Sequence, residues 1–274
     1  MKLGDKGIAL GGWCTIPSSF TIEVMSRAGF DWLCFDLQHT MIDLTTAMSM
    51  LQATAISSVP TFVRTSSYSP AELQHMLDAG AAGVVVPMVN NANEARDIVQ
   101  ACKYPPEGRR SWGPYRAEFM MPDYSTRKAN EEIICGAMIE TLEGLEHLDE
   151  IVKVEGVDLV LVGPGDLAIA MGLPPRQGLK DDHFRTVLGR IAERCLEAGV
   201  TPAIQGRDVA GSLQVIELGY RMVLVGTDAK WMASGAAETL RAVRNSVKSL
   251  VVALDGNLTV GAPRVATSKG GESQ

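Results

Sequence analysis

Four places in the chain carry nearly the same wording: Ala28-Gly29-Phe30-Asp31, Ala79-Gly80-Ala81-Ala82, Ala198-Gly199-Val200-Thr201 and Leu218-Gly219-Tyr220-Arg221. Each closes a stretch of helical period, turns on Gly and opens a short apolar run. Gly most readily takes the left-handed conformation that ends a helix. Eight such runs recur, at 8–14, 32–36, 60–64, 83–88, 134–139, 158–162, 201–204 and 222–225. Most are near-continuously apolar, the signature of parallel strands covered on both faces. Helical periods fall at 18–28, 44–54, 70–79, 92–101, 183–198 and 209–218. Parallel strands need crossovers, so eight strand–helix units in 274 residues predict one α/β domain, a (β/α)8 TIM barrel, rather than an open sheet.

The remaining segments fit around that frame. Residues 104–123 form a long aromatic and basic stretch, expected to be an active-site loop or an interface. From Asp255 the residues turn to Gly, Thr, Ser, Lys and Glu, so the barrel domain is placed at 1–254 and a mobile tail at 255–274. The formal charge of −7 argues against a general nucleic-acid or anionic-membrane binder. No apolar run approaches the roughly 18 residues of a membrane span. The first six residues, with Asp5 among them, do not read as a secretory leader. Cys14, Cys34, Cys102, Cys135 and Cys195 are odd in number and scattered, so buried thiols in a reducing cytoplasm are expected.

A parallel barrel does its chemistry at the C-terminal ends of its strands, so the polar residues closing each run are the candidates. Run two leads to Asp36-Leu37-Gln38-His39, run three ends on Arg64, run five leads to Glu140 and run six to Gly163-Pro164-Gly165-Asp166. Two carboxylates at adjacent strand ends repel unless a cation or proton lies between them, and such a pair with water is a hard-metal pattern. The alternatives are that Asp166 caps a following helix and that Glu140 pairs with Arg64. Arg64 suits a carboxylate or enolate oxygen, or a structural salt bridge. His39 is a general base near neutral pH or a structural histidine. Gly163-Pro164-Gly165-Asp166-Leu167-Ala168 mimics a dinucleotide fingerprint, but Asp166 would set negative charge against a pyrophosphate. Imine chemistry needs a lysine in the mouth, and only Lys230 follows a strand end closely.

Taken in order, Ala28-Gly29-Phe30-Asp31, Asp36-x-x-His39, Val63-Arg64, Leu77-Asp78-Ala79-Gly80, Val86-Pro87-Met88-Val89, Tyr104-Pro105-Pro106-x-Gly108-x-Arg110, Ile139-Glu140-Thr141 and Gly163-Pro164-x-Asp166-Leu167 resemble the HpcH/HpaI aldolase family over residues 11–235. The resemblance implies a metal-dependent class II aldolase of the 4-hydroxy-2-oxoheptanedioate aldolase type. It implies one divalent ion (Mg²⁺, Mn²⁺ or Co²⁺) on Glu140 and Asp166. The substrate, a 2-oxo acid such as pyruvate, would lie near Arg64, Met138, Gly165 and Asp166, with an aldehyde as second partner. It implies that Arg64 contacts the enolate oxygen, that His39 moves the proton of the aldol hydroxyl, and that Asp78 is an acid associated with that His. It further implies a homo-oligomer, a trimer of dimers, with a helix within 229–254 exchanged between copies.

The chain departs from that pattern at Gln38, where Glu is usual, and at Thr40, Ser111 and Met138. These positions bear on metal preference and substrate length. The alternatives are a related lyase, either an acyl-CoA lyase or a macrophomate-synthase-like oxaloacetate decarboxylase, and a non-catalytic barrel that binds a 2-oxo acid.

Overall fold

The computed structural model describes residues 7–57 and 59–258. Its elements run β1 (Ala9–Cys14), α1 (Ser19–Ser26), β2 (Trp32–Asp36), α2 (Leu44–Thr54), β3 (Thr61–Arg64), α3 (Pro70–Asp78), β4 (Gly83–Val86), α4 (Ala92–Cys102), α5 (Ala117–Met120), α6 (Thr126–Glu132) and β5 (Ile134–Ile139). They continue as α7 (Leu142–Glu146), α8 (Leu148–Ile151), β6 (Leu159–Val162), α9 (Pro164–Ala170), α10 (Asp182–Glu197), β7 (Thr201–Gln205), α11 (Val209–Glu217), β8 (Met222–Thr227) and α12 (Asp228–Leu258). The eight strands close in chain order into a parallel barrel, β8 pairing with β1. This is the (β/α)8 fold that the repeated helix–Gly–strand joins predict.

Helix starts follow side-chain chemistry. Ser18, Asp43, Ser69, Asn91, Ser125, Thr141, Asp181 and Asp208 each accept a backbone N–H of the helix they precede. Such caps satisfy N–H groups that the helix itself leaves without partners. Strand ends differ from the sequence reading by one or two residues. The fourth strand stops at Val86 because Pro87 has no N–H to donate and Met88 turns left-handed at φ 59°. The eighth extends to Thr227, which pairs with Trp13 across a bulge whose extra residue lies in β8.

The barrel interior is filled, not hollow. Trp13, Trp32, Cys34, Phe62, Val85, Met138, Leu161, Ala203, Met222 and Leu224 belong to one buried cluster. Trp32 is fully buried, donates Nε1–H to Ala9 O at 3.3 Å and meets Phe62 edge-on at 5.5 Å. Its indole lies where a Cβ on Gly11 would stand, so Gly11 makes that packing possible.

The chain divides into two units, one ending at Ala229 and the other starting at Lys230. All strands belong to the first. The second holds most of α12, along which Leu240, Val243, Val247 and Leu250 form an exposed apolar stripe at helical spacing. The helix runs past the expected boundary at Asp255 to Leu258. Residues 259–274 of the expected tail, and 1–6, lie outside the described residues. Among the described residues no helix is long and apolar enough to cross a membrane.

Candidate active site

The organising group at the C-terminal mouth is Asp36, the last residue of β2 and 3% exposed. Its Oδ1 accepts Arg64 Nε–H at 3.0 Å, the Gln38 N–H at 3.0 Å and the His39 N–H at 3.2 Å. Its Oδ2 accepts Arg64 Nη2–H at 2.6 Å and Trp13 Nε1–H at 3.2 Å. The register Asp36↔Arg64 between β2 and β3 sets the two side chains in line for this two-pronged pairing. The guanidinium also sits 4.7 Å from the centroid of the Trp13 ring. Arg64 is therefore a buried cation held between Asp36 and Trp13 with its orientation fixed. The same carboxylate anchors the backbone that carries His39, so one residue positions both groups. Thr40 completes the turn by donating its hydroxyl to Asp36 O.

A cavity of about 270 Å³ opens above this pair. His39, Arg64, Met138, Gly165 and Asp166 all line it, together with Trp13, Asp36, Gln205, Arg207 and Thr227. Glu140 is 3% exposed and lies just behind the lining, its Oε2 against Gly163 so closely that a Cβ there would collide with it. Its Oε1 accepts the N–H of Met88, the left-handed residue after β4, at 2.9 Å. Burial, and then the neighbouring Asp166 charge, push the Glu140 carboxyl above its ordinary range, and the Met88 N–H and Arg64 pull it only part of the way back.

Two alternatives raised by the sequence fall away. Arg64 pairs with Asp36, not Glu140. Asp166 lies in the first turn of α9 and caps nothing, since the N-cap is Gly163 and no side chain caps the helix. Among the described residues the Asp166 side chain makes no hydrogen bond or ion pair, and no group of three His, Cys, Asp or Glu side chains could hold a metal. What remains is a pair of mutually repelling carboxylates, one buried. That donor set suits a hard divalent cation whose other positions are filled by water or substrate oxygen.

Asp78 is placed elsewhere. It is the last residue of α3, and helices in this fold run opposite to the strands, so it lies toward the N-terminal end of the barrel. It bonds Arg110 Nη2 at 2.6 Å and is not part of the cavity that His39 lines. One chain does not bring Asp78 to His39. The 104–123 stretch holds Arg110 over the Tyr104 ring at 4.6 Å and contains the short helix α5, which sequence periodicity missed.

The structure adds Trp13, Asp36, Gln205, Arg207 and Thr227 to the residues singled out from sequence. Position at or beside a strand end was the signal available for Trp13, Asp36, Gln205 and Thr227. A larger cavity, about 490 Å³, lies at the opposite end of the barrel against Pro60, Thr61, Phe62 and Ile134, with Lys128 and Glu132 as its charged groups. Nothing there matches the chemistry at the mouth. Among the described residues no lysine lines the mouth cavity, and the nearby Cys34 thiol is pushed up to about 12, mainly by burial, which leaves it a poor nucleophile.

The family model for HpcH/HpaI aldolase/citrate lyase matches residues 11–235. A 4-hydroxy-2-oxo-heptane-1,7-dioate aldolase of Shigella sonnei is 36% identical over 246 residues, covering 88% of this chain and 92% of the relative. A hydroxypyruvate/pyruvate aldolase of Rhizorhabdus wittichii is 32% identical over 86% of this chain and 94% of its own. Among solved structures, an HpcH/HpaI aldolase/citrate lyase family protein from Burkholderia cenocepacia superposes with a TM-score of 0.81 at 29% identity, covering 89% of this chain and 97% of that one. The chain belongs to the HpcH/HpaI aldolase/citrate lyase family.

Proposed function

We propose that the protein is a class II aldolase that reversibly cleaves a 4-hydroxy-2-oxo acid to pyruvate and an aldehyde. The observation that carries this reading is the convergence on one mouth of a locked guanidinium, a histidine and two opposed carboxylates. The similarity to aldolases of two substrate types supports the same class.

Each group meets one requirement of the reaction. Cleavage begins with removal of the C4 hydroxyl proton, and His39, exposed at the cavity edge, is the base within the lining. The C3–C4 bond then breaks, its electron pair moving to C3 and on to the C2 oxygen, while the C4 carbonyl leaves as the aldehyde. Arg64 faces the negative oxygen of the resulting enolate. Because Asp36 and Trp13 already fix its orientation, little reorganisation is needed when that charge develops. A proton delivered to C3 releases pyruvate. A divalent ion held by Glu140 and Asp166 would supply Lewis-acid polarisation of the 2-oxo acid. Met138, with its thioether 3.9 Å from Arg64 Nη1, and Gly165 bound the space for the donor.

The acid at Asp78 enters this scheme only across an interface. Its carboxylate is partly exposed and clamped by Arg110, so a second copy of the chain would have to bring it to His39. The apolar stripe of α12 supports a homo-oligomer in which that helix packs on another copy.

Replacing Glu140 or Asp166 by Ala should abolish metal-dependent aldol cleavage while the barrel still folds, as seen by circular dichroism. Full turnover by metal-free Glu140→Ala protein would contradict the assignment.

A further inference from the structure

Met88 follows Pro87 just past β4 and holds a left-handed backbone at φ 59°. A residue with a bulky side chain rarely takes that conformation, which persists only where the surroundings over-determine it. The side chain is 50% exposed, so its burial does not force the turn. Contacts of the two residues that follow hold it instead. Val89 N–H donates to Met138 O, on β5, at 3.1 Å. Thr141 donates its hydroxyl to Asn90 Oδ1, and His147 Nδ1 lies 3.1 Å from Asn90 O. A Cβ on Gly144, in α7, would stand 2.5 Å from Val89 O, so glycine there lets the turn pack directly on the helix. Residues 88–90 are thus fastened to the segment from Met138 to His147, which contains Glu140.

This frame delivers one hydrogen bond to the carboxylate pair. Successive N–H groups of an extended strand point to opposite sides, whereas a left-handed residue lets neighbouring ones converge. Here Met88 N–H reaches Glu140 Oε1 at 2.9 Å while Val89 N–H reaches the same strand end. Glu140 Oε2 stands against Gly163, three residues before Asp166. With Oε1 engaged by the backbone, Oε2 is the oxygen left to a cation. Carboxylate geometry decides which cation that suits. Ca²⁺ readily takes both oxygens of one carboxylate, whereas Mg²⁺ demands octahedral geometry and keeps several waters.

We propose that Met88 is a positioning residue for the metal centre: its left-handed turn holds Glu140 Oε1, restricts the carboxylate to coordination through Oε2, and so favours a small octahedral ion such as Mg²⁺ or Mn²⁺ over Ca²⁺. The inference rests on the reading of Glu140 and Asp166 as the metal ligands and adds the device that sets their selectivity. Met88 touches neither the substrate nor the ion and acts through Glu140 alone.

The test is binding of Mn²⁺ and of Ca²⁺ to metal-free protein by titration calorimetry, with the infrared carboxylate bands of each complex. Wild type should bind Mn²⁺ at least about tenfold more tightly than Ca²⁺, with the wide band splitting of one-oxygen coordination. Met88→Val puts a β-branched residue where φ is positive and should lower the ratio of Mn²⁺ to Ca²⁺ affinity about tenfold, the worth of one charge-assisted hydrogen bond. It should also narrow the splitting in the Ca²⁺ complex. Met88→Asn, which tolerates the left-handed backbone, should keep the wild-type ratio. Gly144→Ala pushes on Val89 O without altering Met88, so it should lower the ratio too and gives the answer if Met88→Val folds poorly. Wild type that binds Ca²⁺ as tightly as Mn²⁺, or a ratio and splitting unchanged in Met88→Val and Gly144→Ala, would overturn the inference alone. Mn²⁺ binding equal in wild type and Asp166→Ala would overturn the metal reading and the inference with it.

Discussion

Asp36→Asn is the most informative single perturbation of the mouth. The carboxylate accepts two hydrogen bonds from Arg64, one from Trp13 and two from backbone N–H groups, all at 3% exposure. The amide keeps the shape and one acceptor oxygen but turns an NH₂ toward existing donors. It also leaves the Arg64 guanidinium buried without a counter-charge. Breaking a buried ion pair by removing one partner costs about 3–5 kcal/mol, and the retained oxygen puts this case near the lower end. At about 2–4 °C per kcal/mol for a chain of this size, Tm should fall by about 6–12 °C. The double variant Asp36→Asn/Arg64→Met removes the stranded cation and should recover part of that loss, a recovery that isolates the pair from either side chain alone. Differential scanning calorimetry of wild type, both single variants and the double variant reads all terms. A single-variant loss below about 1 kcal/mol, or a double variant no more stable than Asp36→Asn, would refute the argument that Asp36 neutralises and orients Arg64.

Three further predictions concern the carboxylate pair and its frame. Glu140→Gln should raise the Tm of metal-free protein at pH 7. The folded-state carboxyl titrates above its unfolded value, so the stability it contributes is full below the ordinary glutamate range and is lost as pH rises through the raised value. The gain should therefore vanish near pH 4, and scanning in chelator at both pH values checks it. Gly163→Ala puts a methyl into Glu140 Oε2 and within 2.8 Å of Met138 Cε, so it should cost about 1–3 kcal/mol and weaken divalent-ion binding measured by titration calorimetry. Trp13→Phe removes the Nε1–H donor to Asp36 but keeps a ring beside Arg64, and urea unfolding should show a loss of about 1–3 kcal/mol, the cost of the vacated space included.

The barrel was legible because its signals are local. The helix–Gly–strand joins at Gly29, Gly80, Gly199 and Gly219 are all left-handed, as a helix-ending turn requires. The short helices α5 and α6 were not legible, because four to seven residues carry too little period to register. At the mouth, strand ends identified His39, Arg64, Glu140 and Asp166. Asp36 passed as part of a motif because its importance lies in Trp13 and Arg64, residues on neighbouring strands. Arg207 was invisible because nothing in Gln205-Gly206-Arg207 announces a left-handed backbone at a non-Gly residue. The role expected for Asp78 illustrates a different limit. A motif position travels with the sequence, but the surface it serves is set by helix direction, and α3 carries Asp78 away from the mouth of its own chain.

The central claim is that this mouth makes pyruvate enolate with the help of a divalent ion on Glu140 and Asp166. Pyruvate methyl-proton exchange in D₂O, followed by NMR in chelator and after Mg²⁺ or Mn²⁺ is added, tests it without knowledge of the aldehyde. The account predicts exchange that appears only with the metal and is lost in Arg64→Ala and Asp166→Ala. Exchange that persists in chelator and is abolished by borohydride would instead mean imine chemistry at a lysine, and would contradict the account.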